Sequence, residues 1–273
     1  MQALLINENC ALVSARDGYF LVNRNDYYVG KALEIYGEFS AIEGKFIKDL
    51  LIPGDVVVEV GANIGAHTIG LARHVGMKGK VFAFEPQRSC YALLQAQIAL
   101  NSTNNIFCFN EGVSSKTGKL WLPPLDYTKQ GNFGGVSLID KPDEGFEAVA
   151  VSTLDERLCE TQIALLKIDV EGMEREVLEG AEQILSHSKP LLYVENDRVE
   201  KSSALIDFIL ARNYRLFWHT PPLFNPNNFF NISQNIYGNV ASFNMLGVHE
   251  SQNLAVTATM REIRSGKERH PLA

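Results

Sequence analysis

Between residues 56 and 248, short β-branched apolar runs alternate with stretches whose apolar residues recur at helical spacing. That alternation builds a parallel sheet covered by helices on both faces. Seven runs read as strands: 56–60, 81–84, 106–109, 164–168, 191–194, 214–218 and 243–248. Residues 66–75, 88–100, 173–186 and 203–212 read as crossover helices, with Leu94 and Ile98, or Val177, Ala181 and Ile184, on one face. Pro53-Gly54-Asp55 is a turn that launches the first strand, and Asn101 and Asn213 read as left-handed helix stops. The expected fold is an α/β three-layer sandwich, Rossmann-like, on a seven-stranded, mostly parallel sheet.

Three segments follow from this reading. Residues 1–52 form an N-terminal cap, with a helix at 40–51 preceded by the aromatic residues Tyr27, Tyr28 and Tyr36. Residues 53–250 hold the main domain, and 251–273 a C-terminal segment whose last part, from 260, reads as a short basic helix and tail. Residues 112–153 are an insertion, with hairpin strands at 119–122 and 148–151 around the loop Gly131-Asn132-Phe133-Gly134-Gly135. At 273 residues and 46% hydrophobic content, the chain can bury a full core. Its net charge of −7 gives no general attraction to phosphate backbones, so a nucleic-acid partner is not expected. No stretch approaches the roughly 20 apolar residues of a membrane span. The first residues lack the pattern of a secretory signal. The widely spaced Cys10, Cys90, Cys108 and Cys159 suit reduced core thiols, so a cytoplasmic setting is expected.

The first strand ends in Glu59-Val60-Gly61-Ala62-Asn63-Ile64-Gly65. Ligands of open α/β sheets bind beyond the carboxyl ends of the strands, where Gly61 and Gly65 let backbone approach them. A dinucleotide loop would carry glycines where Asn63 and Ala66 stand, and Glu59 would repel a pyrophosphate. S-adenosylmethionine carries an ammonium and a sulfonium instead, and a carboxylate beside the loop attracts both. Glu85, followed by Pro86 at the end of the second strand, can accept both ribose hydroxyls of an adenosine, a role that would serve NAD equally. Asn110 and Glu111 stand where an adenine edge would lie, or form only a turn.

On these residues the chain resembles the FkbM family of S-adenosylmethionine-dependent methyltransferases. The match runs through Tyr36-Gly37-Glu38, Glu43, the loop from Glu59 to Gly65, Phe84-Glu85-Pro86, Asn101 and Val194-Glu195. Its most specific block is Lys167-Ile168-Asp169-Val170-Glu171-Gly172-Met173-Glu174. The resemblance implies a class I methyltransferase fold with an antiparallel final strand, and commonly O-methylation of sugars or polyketide-type products. The segment Trp218-His219-Thr220-Pro221-Pro222-Leu223-Phe224-Asn225 departs from the family, where its counterpart varies, so acceptor identity is not inherited.

Methyl transfer needs a positioned acceptor and a destination for its proton. Asp169 and Glu171, after the fourth strand, can orient the acceptor or take that proton. Equally, Asp169 can pair with Lys167, while Glu171 and Glu174 gain from a helix dipole. Glu195 faces the cleft or caps a helix. His219 has the ordinary pKa of a neutral-pH base, or is a polar loop residue. Asn225, Asn227, Asn228 and Asn231, interleaved with Phe224, Phe229 and Phe230, suit a sugar or fold the loop onto the core. His67 reads as structural. No histidine–carboxylate spacing marks a metal cage, so none is expected. The acceptor is expected to be a hydroxyl of a glycan or small natural product. The alternatives are N-methylation of an amide or amine and, in another class, an NAD-dependent oxidoreductase.

Overall fold

The computed structural model describes residues 3–256 and 260–272. The chain opens with an antiparallel meander of β1 (Ala3–Leu5), β2 (Cys10–Ala15) and β3 (Gly18–Asn23), then helices α1 (Val29–Tyr36) and α2 (Ala41–Asp49). The βα alternation follows: β4 (Val56–Val60), α3 (Thr68–Val75), β5 (Lys80–Phe84), α4 (Arg88–Asn101) and β6 (Ile106–Phe109). The insertion carries β7 (Gly112–Val113), β8 (Gly118–Leu122) and β9 (Glu147–Ser152), a small sheet of its own. Then come α5 (Leu154–Leu158), β10 (Leu165–Ile168), α6 (Glu174–Glu179), α7 (Glu182–His187) and β11 (Leu191–Glu195). The chain finishes with α8 (Val199–Leu210), β12 (Tyr214–His219), β13 (Asn244–His249) and β14 (Glu262–Ile263).

The main sheet runs β14-β12-β13-β11-β10-β4-β5-β6. Strands β11, β10, β4, β5 and β6 run parallel to one another, and β13 is antiparallel to both β11 and β12. Seven of these are the expected strands. The eighth, β14, lies where a basic helix was expected. Ser265-Gly266 and Pro271 do not sustain a helix, and Glu262–Ile263 instead pair with β12, covering the sheet edge.

Other expectations shift by smaller amounts. The helix expected at 173–186 is broken at Gly180-Ala181 into α6 and α7. A Cβ on Gly180 would lie 2.2 Å from the Ser114 carbonyl oxygen, so only glycine fits beside the insertion there. The left-handed stop falls on Ser102 (φ 53°), one residue after Asn101, whereas Asn213 (φ 61°) takes it as expected. All four cysteines are free, but only Cys90 is buried and Cys159 is exposed, so they are not a set of core thiols. Among the described residues, no helix is long and apolar enough to cross a membrane.

The meander is the part that the helical and strand patterns do not announce. Its alternate residues Ala11, Val13, Phe20 and Val22 are buried in one core with Ile69, Leu71 and Leu94 of the main domain. Side-chain amides of α4 serve its edge as a strand would. Gln97 accepts from the Leu21 N–H and donates to the Leu21 carbonyl at 2.9 Å each, and Asn101 does the same for Tyr19 at 2.8 and 2.7 Å. On the other sheet face, α5 to α8 pack on β10, β11 and β12 through Leu166, Val177, Ile184 and Ile206. A third cluster, Ala32, Tyr36, Leu223 and Tyr237, joins α1 to the segment between β12 and β13.

Candidate active site

Four valines make β4 a strong strand, and it ends on a loop that only particular residues can form. Gly61 has φ +85°, and a Cβ there would lie 1.8 Å from the Asp169 carbonyl oxygen. Asn63 (φ 52°) takes a left-handed conformation that Asn tolerates well. The Gly61 and Ala62 N–H groups donate to the Phe84 carbonyl at 3.0 Å, and the Asn63 N–H donates to Glu85 Oε2 at 2.8 Å. The other Glu85 oxygen accepts from the Gln87 N–H at 2.8 Å. Each oxygen retains lone-pair capacity for a second donor, as a ribose diol requires. Burial raises the Glu85 carboxyl to about 7, against the opposing effect of these two backbone donors.

Beyond the strand ends lies a cavity of about 270 Å³. Its floor is the loop after β4, with Glu85, Lys167 and Asp169. Its walls are Tyr28, Val29, Phe39 and Glu43 from the N-terminal segment, Asn132, Gly134 and Gly135 from the insertion, and Leu223 with residues 240–243. A narrower recess adjoins it, lined by Phe84, Pro86, Glu111, Val113, Leu138 and Met173. The insertion is clasped to the N-terminal segment, because the Tyr27 N–H donates to the Gly131 carbonyl at 2.9 Å and the Gly131 N–H to the Asn25 carbonyl at 3.0 Å. Gln87 Nε2 donates to the Phe133 carbonyl at 2.7 Å, holding the same roof down.

The charged lining is lopsided: seven carboxylates, Glu43, Glu59, Glu85, Asp169, Glu171, Glu195 and Asp197, against Lys167. Lys167 is buried, 3.2 Å from Asp169 Oδ2 and 3.6 Å from Glu59 Oε1. Burial alone would favour its neutral form, but Asp169, Glu59 and Glu43 outweigh it and hold the ammonium charged. Burial raises Glu43 and Glu195, the latter well above the usual carboxylate range with Asp169 and Glu171 adding repulsion. Glu171 is pushed up to about 8, first by burial and then by Asp169 and Asp197, although it pairs with Arg198. His67 Nε2 lies 3.9 Å from Glu43 Oε1, and burial lowers its pKa to about 4, so it is neutral there. Such a lining favours a ligand that brings positive charge.

Of the residues singled out in the sequence, Glu59, Gly61, Asn63, Glu85, Asp169, Glu171 and Glu195 all line the larger cavity, and Pro86 and Glu111 the recess. Asp169 does pair with Lys167, and Glu59 also accepts from Thr68 Oγ1 at 2.6 Å. Gly65 serves packing, since a Cβ would lie 2.7 Å from Leu94. Asn110 donates to the Glu85 and Pro86 carbonyls at 2.9 and 3.1 Å, shaping the strand end. Glu111 is bound by Arg157 at 2.8 and 2.5 Å. His219 is absent from the cavity lining; its Nδ1 lies 2.7 Å from Tyr193 Oη and its ring stacks on Phe46 at 4.0 Å. The asparagine-rich segment folds onto the cap: Asn225 donates to Glu38 at 2.8 Å, and Asn228 to the Ile232 carbonyl at 2.7 Å. Glu38 also accepts from the Phe229 N–H and pairs with Arg16, which explains Tyr36-Gly37-Glu38 as a hinge between cap and loop.

Glu43, Gln87, Asn132 and Asp197 are cavity residues that motif spacing did not reveal. Glu43 was visible only through the resemblance. Three carboxylates, Asp169, Glu171 and Glu195, which the ends of their strands bring within reach of one another, do come together: one ligand atom from each lies within 4.8 Å of the others.

Numbered within the sheet, the seven expected strands lie in the order 6-7-5-4-1-2-3, with the seventh antiparallel. With the glycine loop after the first strand and an acid after the second, this arrangement defines a class I methyltransferase. The methyltransferase FkbM domain model matches residues 59–216, more than half the chain. The chain belongs to the FkbM family of S-adenosylmethionine-dependent methyltransferases, which decides against the nicotinamide alternative. Methyltransferase sdnD of Sordaria araneosa is 28% identical over 206 residues, covering 54% of this chain and 73% of its own. Methyltransferase FkbM from Methylobacillus flagellatus KT is 18% identical with a TM-score of 0.48, covering 81% of this chain and 55% of that one. The chain thus spans about half the length of that protein. Precorrin-6y C5,15-methyltransferase from Geobacter metallireducens GS-15 shares the fold, at 11% identity and a TM-score of 0.51 over 84% of this chain and 93% of that one.

Proposed function

We propose that this chain methylates a hydroxyl group of a small polar or glycan-like acceptor, held with S-adenosylmethionine in the acid-lined cavity. The observation that carries the reading is the acidic lining of that cavity, seven carboxyl groups and one lysine around the loop from Gly61 to Asn63, whose buried members ionise most readily beside a cation. S-adenosylmethionine has no phosphate and brings both a sulfonium and an ammonium. Glu85 would hold its ribose, the recess with Pro86, Val113 and Met173 its adenine, and Gly61 and Asn63 its amino-acid end. Bound there, it supplies a methyl group that needs no further activation. The chain's own work is to hold both partners out of water, orient the acceptor and receive its proton. Asp169 takes that proton, Glu171 and Glu195 orient the hydroxyl, and the N-terminal segment with residues 240–243 shapes the acceptor's place.

The same charge argues for oxygen over a basic nitrogen. Clustered carboxylates stabilise an amine as its ammonium, which has no lone pair to attack with. A hydroxyl is neutral until it gives up its proton, and an ionised carboxylate beside it is an acceptor for that proton.

Calorimetry with S-adenosylmethionine, S-adenosylhomocysteine and NAD, followed by a labelled-methyl screen over glycans, hydroxylated metabolites, amines and peptides, tests this. Binding of the sulfonium donor with label in an ether product is expected. Label confined to N-methyl products would overturn the hydroxyl assignment, and NAD binding without sulfonium binding would overturn the cofactor placement.

A further inference from the structure

We propose that Asp169, Glu171 and Glu195 form a binding site for a hard divalent cation of the magnesium or manganese class, at which the acceptor hydroxyl is an additional oxygen ligand. The three side chains arrive from different elements. Asp169 follows β10, Glu171 sits on the turn before α6 and Glu195 ends β11. One ligand atom from each lies within 4.8 Å of the others. Oxygens sharing one such ion are separated by about 2.9–4.2 Å, from metal–oxygen distances of 2.0–2.1 Å, so a small inward movement of the side chains suffices. Carboxylate oxygens are the donors that hard cations select, and the open cavity leaves room for water and substrate oxygens.

A second observation is independent of this proximity. Oε2 of Glu195 is buried and has no hydrogen-bond partner, and the same holds for Oδ1 of neighbouring Asp197. Both residues line the larger cavity. Buried carboxylate oxygens are normally satisfied, and a bare Glu195 oxygen on a residue of the cluster is one that a bound cation would satisfy. The nearby protein cations are otherwise engaged. Lys167 serves Asp169 and Glu59, Arg198 serves Glu171 and Asp197, and Lys201 donates to the Gly172 carbonyl at 2.7 Å. The backbone around the cluster is fixed too: Glu171 holds φ +58°, and its carbonyl accepts from Ser137 Oγ at 2.5 Å. An ion here would draw the acceptor hydroxyl beside Asp169 and make its proton easier to remove.

The hydroxyl's place as a ligand rests on the methyl-transfer reading, whereas the ion's place does not. The test is a manganese(II) titration of chelator-treated protein, followed by the electron paramagnetic resonance signal of free Mn²⁺, with S-adenosylmethionine calorimetry on the same preparation. Saturable binding of one Mn²⁺ per chain is expected, competed by Mg²⁺. Glu195→Gln should weaken it about tenfold or more, with an unchanged far-ultraviolet circular dichroism spectrum and thermal unfolding transition as the sign of an intact fold. Glu171→Gln serves the same purpose if Glu195→Gln does not fold. Donor binding without saturable Mn²⁺ binding, or equal Mn²⁺ affinity in a folded Gln variant, overturns the cation site and leaves the methyl-transfer reading standing. Mn²⁺ binding that responds to these variants, in a protein with no donor affinity, supports the ion site and removes the hydroxyl from it.

Discussion

Lys167 and Glu59 are cross-strand neighbours, in register on β10 and β4, with Nζ 3.6 Å from Oε1 and each side chain 2% exposed. A buried ammonium at this place is the counter-charge for an otherwise acidic floor. Removing one partner of a buried pair leaves the other uncompensated. Lys167→Met is therefore expected to destabilise the protein by about 3–5 kcal/mol, read by urea denaturation. A variant as stable as the parent would show that Glu59 and Asp169 do not depend on this charge.

Both carboxylate oxygens of Glu85 are held by backbone donors, Oε2 by the Asn63 N–H and Oε1 by the Gln87 N–H, and the proposed donor placement sets its ribose against them. Glu85→Gln replaces one acceptor oxygen by a donor. S-adenosylmethionine affinity should fall by about 1.5–3 kcal/mol, the range for hydrogen bonds to a charged group. Calorimetry checks this, with far-ultraviolet circular dichroism confirming the fold. Unchanged affinity in a folded variant would place the ribose elsewhere.

Glu85 and Glu174 are each raised to about 7, chiefly by burial. Between the ordinary carboxylate range and pH 7, the folded state therefore binds more protons through these groups than the unfolded chain does. Their contribution to stability rises as pH falls through 7 and is complete near 4.5. His67, lowered to about 4 by burial, works the other way between 6.5 and 4, where the unfolded chain takes up the proton. Glu171, raised to about 8, adds to the carboxyl side, so the three carboxyls outweigh His67 and the ligand-free, chelator-treated protein should have a higher Tm at pH 6 than at pH 7.5. Glu85→Gln should shrink the difference. A Tm that falls steadily from pH 7.5 to 6 would contradict these carboxyl shifts.

His219 is held by Tyr193 and Phe46 outside the cavity lining. Replacing it with alanine should cost about 1–2 kcal/mol of stability and leave donor affinity unchanged, with turnover altered only slightly. Thermal unfolding and a labelled-methyl assay at saturating donor measure the two effects. A turnover loss of about a hundredfold, in the range of a lost general base, would restore His219 to the chemistry.

The main sheet was legible because its strands are buried on both faces: runs such as Val56-Val57-Val58 have no other use in a chain of this composition. The loop from Glu59 to Gly65 and the acid Glu85 were legible because glycine and carboxylate at strand ends do specific work. The meander was not, since it stands outside the βα alternation and its partner is an amide edge, Gln97 and Asn101, contributed by a helix far along the chain. His219 illustrates the limit at the site. Its position at a strand's carboxyl end was correctly read, but whether its ring turns toward the cavity or toward Phe46 is decided by α2, packed from elsewhere in the sequence. Glu43 eluded motif spacing for the same reason, because a carboxylate on a helix outside the βα alternation announces nothing until tertiary packing delivers it.

The clasp between residues 25–27 and Gly131 is made of backbone groups alone. Its two hydrogen bonds make no demand on the side chains that flank them, Gly131 apart. The Tyr28 side chain, which lines the cavity, can therefore be varied without breaking those two bonds, whereas Asn132, whose Oδ1 accepts from the Gly135 N–H at 3.0 Å, also shapes its own loop. Selectivity for the molecule to be methylated is thus free to drift among relatives without dismantling the enclosure, and a library confined to these flanking positions is the economical route to re-targeting the enzyme.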